Sequence, residues 1–575
     1  MSLLSENSEF KKSTTSPTTG HVNHMGGESY YPNDPKLKLS LILLSGFLGE
    51  PTYYNPCSLA NLNNGDMLDK KYSEDIEQFI IHPDNRSRMT QFHEAAHQSL
   101  DSDFQGTLQL AHKARHQYLM RKSPMALLAI AAGHPKRVSF NKENPGVFRK
   151  IIVDTSILPG DMITIIDIWK QFHGTKSKLP SFVKRAFTER VTSASSYQVA
   201  KYPKACRDIV RISHPSPTPQ ISELMTNGTI QVDEKDTKWE TLKSQGKTWL
   251  EIMEIMSWRL PHMAALRNLR GFANQVRNEE YIEKYCAMLE AGVENGKQFP
   301  FQYISAYDAV KTASEKKNVT SKSYKKEVKY HPKPLRKRDV KIIMESLERC
   351  IQKSISNHPK LQGDVVILSD NSGSAWGTFT SKYGTKTVAD IGNLSALITA
   401  LSCTGRAMIG IFGDKLLEFE VDKTKPLLQQ YDELRELVGN KGNNVGLSTE
   451  NGIWLFFKRT MFNPEKYRFD HFFCYSDMQA GHGKLYGLED EIEAKWLAKS
   501  IFYSNRQPFI NVPKLLNDYR ERINRKMSCF MIQTAGYNDS IVPESVYRGA
   551  IMAGWTGNEV VYADELLKLW DEIEN

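Results

Sequence analysis

The sequence predicts a multidomain chain in which an N-terminal all-helical array is followed by a C-terminal doubly wound α/β domain. Three observations carry this reading. At 575 residues the chain is too long for a single core. From about residue 36 to 310 the apolar residues recur with a helical period and strand signals are scarce. Beyond about residue 360, short continuous apolar runs alternate with helical stretches, the pattern of strands buried on both faces of a mostly parallel sheet.

In chain order, residues 1–30 are rich in Ser, Thr, Asn, Gly and His without periodicity and read as a disordered tail. Residues 31–356 form the helical part, with helices expected over Arg115–Gly133, Leu179–Ala194, Ala205–Ser213, Thr248–Val276 and Glu280–Ala291. Short helices in series without long strands suit an α-solenoid or another helix-pair array, whose curvature makes a concave surface. Pro332 and Pro334 interrupt the pattern before a last helix near Asp339–Ser356, and the boundary falls at about Asn357–Gly363. Residues 360–575 carry the apolar runs VVILSD, AMIGIFG, HFFCYSD and SCFMIQTAG, with helices expected at Val388–Cys403, Gly446–Lys458 and near Glu544 and Asp564.

Composition narrows the function classes. With 40% hydrophobic and 25% charged residues the chain reads as an ordinary globular protein. Apolar runs such as Met125–Ala132 stop short of the roughly 20 residues a membrane span requires, and no signal-like pattern opens the chain, so a cytoplasmic protein is expected. The seven cysteines are widely spaced, with no CxxC pair, and read as reduced thiols. The formal net charge is +9, and it is concentrated: Lys311–Lys341 holds twelve Lys or Arg against Glu315, Glu327 and Asp339. Tyr324 and Tyr330 lie among those lysines, where they suit either base stacking or a charged interdomain connection.

In an open α/β sheet, ligands bind just beyond the carboxyl ends of the strands. VVILSDNSGS puts Asp370, Ser372 and Ser374 directly after one expected strand, and HFFCYSD puts Asp477 directly after another. Two carboxylates and two hydroxyls converging there suit a hard, oxygen-seeking divalent cation such as Mg²⁺; the plainer reading is that Asp370 caps the following turn. The DxSxS pattern in this setting resembles the metal-ion-dependent adhesion motif of von Willebrand A domains. That resemblance implies a further oxygen ligand from an intervening loop, where KGNNVG offers Asn444 in place of the family's Thr.

Two helical segments carry basic stripes. YPKACRDIVRISHPSP places Lys204, Arg207 and Arg211 along one face with His214 at the helix end, and LPHMAALRNLRGF sets Arg267 and Arg270 opposite an apolar face. Such stripes suit RNA phosphates or are simply solvated helix faces. Lys136 and Arg137, in a loop after Gly133-His134-Pro135, are left out of the candidate set.

The ordered segments GFLGEPTYYNP, VAKYPKACRDIVRISHPSP, LPHMAALRNLRGF and FPFQYISAYDAV, with AGYNDSIVPESVYRGAIMAGWTG near the end, resemble those of the Ro autoantigen (TROVE) family. The resemblance implies a HEAT-repeat-like ring followed by a von Willebrand A-like domain. It implies binding of Y-type noncoding RNA and of single-stranded 3′ ends of misfolded RNAs, an exoribonuclease partner, a monomer, and a role in RNA quality control or as a ribonucleoprotein adaptor. On this resemblance Arg207, Arg211 and His214 match the RNA-contacting helix, Lys204 adjoins them, and Lys184 and Arg185 on the preceding helix are further contacts. The alternative is a metal-dependent protein-interaction scaffold. No enzymatic activity is expected: no His or Lys is placed by motif as a general base, no third carboxylate completes a two-metal site, and Asp414 and His482 read as loop residues.

Overall fold

The computed structural model describes residues 18–22, 28–32, 34–44, 88–118, 120–233, 238–296, 298, 300–314, 335–376, 387–446, 450–476, 501–504, 507–510, 512–534, 542, 546–553 and 558–574. The chain divides into two compact units. One comprises residues 1–231, 360–421 and 433–575, and the other residues 232–359 with 422–432. The chain leaves the first unit after Gln231 and returns to it at Lys360, so that helices of the N-terminal part share a unit with the α/β part.

The first unit opens with β1 (Thr18–Val22) and β2 (Glu28–Pro32), paired antiparallel within and just beyond the segment read as a tail. Its helices are α1 (Pro35–Leu44), α2 (Arg88–Ser102), α3 (Phe104–His116), α4 (Ser123–Gly133), α5 (Arg137–Glu143), α6 (Val147–Thr155), α7 (Pro159–His173), α8 (Ser181–Thr192), α9 (Ser196–Lys201), α10 (Pro203–Ser213) and α11 (Pro219–Asn227). Each packs on near neighbours: α1 on α2, α3 on α4 and α6, α4 on α7, α8 on α6 and α10, and α7 on α10. The run Met125–Ala132 is buried throughout as α4. Among the described residues no helix is long and apolar enough to cross a membrane.

The helix expected over Arg115–Gly133 breaks at residues 117–122, and Pro124 sits in the first turn of α4, where its missing N–H costs nothing. The break is held by a buried ion pair. Arg115 Nη2 donates to Asp161 Oδ2 at 2.9 Å and its Nη1 to the Met120 carbonyl at 3.3 Å, while Asp161 Oδ2 accepts the Leu158 N–H at 3.0 Å to cap α7.

The α/β part of this unit is a six-stranded sheet in the order β10-β9-β6-β3-β4-β5, from β3 (Val365–Asp370), β4 (Ala407–Phe412), β5 (Leu416–Glu420), β6 (His471–Ser476), β9 (Ser528–Gln533) and β10 (Gly549–Ala553). All pairings are parallel except the β4–β5 hairpin. A separate antiparallel pair, β7 (Ile501–Ser504) and β8 (Gln507–Ile510), lies outside it. Every residue of β3, β4 and β6 is buried, as the uninterrupted apolar runs require. One face packs Val366, Leu368, Phe472 and Cys474 against Ile453, Phe456 and Leu515 of two helices, Glu450–Phe462 and Val512–Arg522. On the other face Tyr475 hydrogen-bonds Thr399 of the helix Val388–Leu401 at 2.8 Å, and Phe530 stacks on Trp570 of the last helix, Glu559–Glu574. Glu565 of that last helix accepts from Tyr118 Oη at 3.0 Å and lies 3.3 Å from Lys113 Nζ, joining it to α3.

In the second unit the longer helices are α12 (Trp239–Ser244), α13 (Trp249–Ile255), α14 (His262–Val276), α15 (Glu279–Ala291), α16 (Pro300–Ser314) and α17 (Lys337–Ser354), with a single turn at Val293–Gly296. The helix expected over Thr248–Val276 is two helices, because Ser257 and Trp258 both take positive φ (50° and 57°) and Pro261 follows. Trp258 stacks on Tyr281, with the Lys284 ammonium 4.2 Å from its ring centre. Tyr285 Oη donates to the Ala265 carbonyl at 2.8 Å, and Arg349 makes a two-pronged pair with Glu290 at 2.9 and 3.0 Å.

Removing one partner of a buried ion pair strands the other, so Asp161→Ala is expected to cost about 3 kcal/mol. Urea titration of the full chain checks this; an unchanged first transition would show that the pair does not hold the α3–α4 break.

Candidate nucleic-acid interface and cation site

Helix α10 carries the first basic stripe. Pro203 starts it, buried Cys206, Ile209 and Val210 anchor its inner face, and His214 ends it in the left-handed region (φ 50°, ψ 57°). On the opposite face Lys204 and Arg211 are exposed and Arg207 is half-buried. Arg211 is partnered by Asp208 one turn earlier at 3.2 Å, a pairing between exposed groups that holds the side chain only weakly. The Arg207 guanidinium lies beside Gly228 just after α11, where a Cβ would come within 3.3 Å of Nη1, and among the described residues its buried Nε meets no acceptor.

Helix α8 packs on α10, and Thr188 Oγ1 donates to the Ser213 carbonyl at 3.4 Å. On α8, Arg190 is occupied internally, donating to the Ile157 carbonyl at 2.7 Å, whereas Lys184 is half-buried and Arg185 exposed. Among the described residues Lys184, Arg185 and Lys204 enter no ion pair. The structure thus brings Lys184, Arg185, Lys204, Arg207, Arg211 and His214 onto two adjacent helices of one unit. Arg267 and Arg270 are exposed on α14 of the second unit, opposite buried Ala265, Leu266, Leu269, Phe272 and Ala273. Lys136 and Arg137 have local work: Arg137 Nη1 donates to the carbonyls of Gly133 and His134 at 3.0 Å each, closing the end of α4.

The second candidate lies at the carboxyl end of β3. Asp370 is buried there; its Oδ1 accepts the Ser372 N–H at 2.9 Å and its Oδ2 accepts the Ser476 hydroxyl at 2.7 Å. The turn that follows is clamped from beneath. Asn371 and Asn393 exchange amide hydrogen bonds in both directions at 2.9 Å, and Ser369 Oγ donates to Asn393 Oδ1 at 2.7 Å. The loop of residues 439–446 closes beside this turn because Gly442 (φ 79°) has no Cβ; one would come within 2.8 Å of the Asn371 carbonyl and 2.7 Å of the Trp376 ring.

Asp370 and Ser372 are together as expected. Asn444 is on the neighbouring loop but exposed, and its amide donates to the Leu437 carbonyl at 2.8 Å, ending the helix Leu427–Val438. Asp477 and the Ser374 side chain lie outside the described residues, as do Tyr324, Tyr330 and His482. Ser476, Asn371 and Asn393 were not anticipated. Ser476 immediately precedes the strand-final Asp477 and Asn371 lies inside the DxSxS motif, while Asn393 is marked in the sequence only as a polar residue in an apolar helix. Among the described residues no group of three or more His, Cys, Asp or Glu is placed to hold a metal. What Asp370, Ser372 and Ser476 supply is an oxygen-only donor set, the kind that suits a hard cation retaining several waters and not a soft metal.

No protein-family model matches the chain, and no curated protein matches it. Among solved structures, the crystal structure of the Deinococcus radiodurans Ro (RSR) protein matches it with a TM-score of 0.54 at 12% sequence identity, covering 82% of this chain and 93% of that one. At that identity the likeness is one of fold: this chain has the fold of a Ro protein, a helical part with a separate mixed α/β sheet.

Asn393→Leu would leave the Asn371 side-chain oxygen and the Ser369 hydroxyl buried without the partners they have, while the Asn371 amide nitrogen keeps the Ser369 carbonyl at 3.1 Å, at an expected cost of about 2–4 kcal/mol. Thermal melting of the full chain measures it, and a change below about 0.5 kcal/mol would mean that the clamp is not needed to hold the turn.

Proposed function

We propose that this chain, with its Ro-protein fold, binds RNA through the α8–α10 surface, and that it acts as a ribonucleoprotein component without catalysing a reaction. The observation that carries the reading is the clustering of Lys184, Arg185, Lys204, Arg207, Arg211 and His214 on two packed helices. Cations held on a rigid helical surface grip phosphates by shape and charge with little reading of sequence.

The finer assignment follows the Ro-family resemblance of the sequence. The RNA is a small noncoding RNA of the Y type together with single-stranded 3′ ends of misfolded RNAs, and Arg267 and Arg270 on α14 are further contacts. The setting is cytoplasmic RNA quality control, with the chain as a monomeric adaptor for an exoribonuclease.

A second reading is favoured by the strand-end donor set. We propose that Asp370, Ser372 and Ser476, with Ser374 and Asp477, hold a hard divalent cation such as Mg²⁺. Asn444 would add its side-chain oxygen while its amide stays on the Leu437 carbonyl. Such a cation offers open coordination positions to a carboxylate or phosphate of a partner, which suits a metal-dependent contact to protein or RNA.

Fluorescence anisotropy with a hairpin RNA carrying a single-stranded 3′ tail, over a range of salt concentrations, tests the RNA reading. Binding should fall steeply with salt, and Arg207→Ala/Arg211→Ala should weaken it and lower the log–log salt slope by about 2. Absence of binding at low salt would sink the RNA reading and favour the interaction scaffold. For the cation, calorimetry with Mg²⁺ should show binding to the wild type that Asp370→Ala abolishes; equal heats from both proteins would dispose of the site.

A further inference from the structure

Four histidines outside both candidate sites are gathered where α2, α4 and α7 meet. His93 and His97 lie one turn apart on α2 with ring centres 4.4 Å apart. His93 stacks on Phe172 of α7 at 4.5 Å, and His97 on His134, at the end of α4, at 4.9 Å. His134 continues to Phe104 of α3 at 5.9 Å. His173, the last residue of α7, lies 4.0 Å from the Trp169 ring and presses against Gly133, where a Cβ would come within 2.5 Å of its Nε2. The rings pack on one another at tilted angles, with interplanar angles of 32° to 51°, and so form a packing column; among the described residues they are not arranged as metal ligands.

We propose that His93, His97, His134 and His173 form an acid-sensitive latch, packed while neutral and forced open when the imidazoles take up protons. His97, when charged, would meet His93 and His134 at ring-centre distances of 4.4 and 4.9 Å, and His173 acts on His93 and His97 as a neighbouring charge, with Glu94 and Asp101 as counter-charges. Helix α2 offers Glu94 and Asp101. Asp101 is already shared, with His134 Nε2 at 3.5 Å and Lys136 Nζ at 3.7 Å. The turn after α4 adds two cations, Lys136 and Arg137, which act against His134 and His173. Other charges around the column are matched elsewhere: Asp103 of α3 with Lys36 of α1 at 3.3 Å, Lys113 of α3 with Glu565, and Arg149 of α6 with Glu189 at 3.6 Å. Asp167 and Lys170 of α7 act on one another, and α5 adds Lys142 and Glu143, one of each sign.

One tautomer is also fixed. His134 Nδ1 accepts the Lys136 N–H at 3.2 Å, so its proton sits on Nε2, toward Asp101. Protonation of Nδ1 would require that backbone bond to break.

Burial is the largest cause that holds all four imidazoles below their ordinary value of 6.5; repulsion from neighbouring histidines adds to it at His93, His134 and His173, as do Lys136 at His134 and Arg137 at His173, while Asp101 opposes it at His97 and His134 and Glu94 at His93. The unfolded or opened chain therefore binds protons at a higher pH than the packed one. The stabilisation by the column is complete above about pH 6.5 and is lost progressively as pH falls through the lowered folded-state values.

Hydrogen exchange of the full chain at about pH 7.5 and about pH 5.5, corrected for intrinsic rates, tests this. Acid should reduce amide protection in α2 and α7 by about tenfold for each unit by which one imidazole's titration is displaced, while β3 and β6 keep theirs. His97→Phe keeps an aromatic ring in the column but cannot take a proton, and should shrink the acid effect several-fold. Unchanged protection in the wild type, or an acid loss in the variant equal to the wild type's, would overturn the latch. If His97→Phe does not fold, NMR titration of the wild-type imidazoles decides: values at or above 6.5 for these four would overturn it, and lowered values support it.

Discussion

A parallel strand covered by helices on both faces has nowhere to carry charge except at its ends. β3 is the inner strand of a six-stranded sheet and is buried from Val365 to Asp370. Its one ionisable side chain is therefore delivered to the edge where loops gather, and the polar residues around it must satisfy one another. The reciprocal Asn371–Asn393 amides, the Ser369 and Ser476 hydroxyls and the Ser372 N–H do so. Without that closure, a buried carboxylate and two buried amides would cost several kcal/mol between them.

The helical part follows a different economy. Most of its internal cations are spent on structure: Arg115 on Asp161, Arg137 and Arg190 on backbone carbonyls, Arg349 on Glu290. The basic residues proposed to meet RNA are set on the outer faces of helices whose inner faces are apolar, with Lys184 and Arg207 half-buried among them. A helix exposed on one side needs only its inner face to fold, which leaves the outer face open to selection for binding.

The sheet and its strand-end motif were legible because buried strands leave uninterrupted apolar runs and the DxSxS follows one of them directly. Both basic stripes were legible because an amphipathic period fixes which face is wet. Helix breaks were missed although Pro124 and Pro261 stand at them; what the local pattern does not show is the pair of left-handed residues at Ser257 and Trp258, where the Trp258 ring stacks on Tyr281 beside the Lys284 ammonium. Asn393 was equally hidden, since its partner lies 22 residues away. The histidine column escaped for the same reason, because α2, α4 and α7 meet only through tertiary packing. Asn444 was suggested by the family resemblance, and its amide is directed by a helix end that the resemblance does not show.

The discontinuity of the first unit carries a consequence for how the chain is made. Its helices up to Gln231 share a compact body with strands that begin after Lys360, and Tyr118 and Lys113 meet Glu565 near the very end. At roughly 5–20 residues per second, a ribosome needs on the order of tens of seconds to travel from the first part of that body to its last helix. Throughout that interval the early helices lack the surface they are shaped to meet. A chain stopped before the helix that carries Glu565 would therefore leave Tyr118 and Lys113 without the carboxylate they meet.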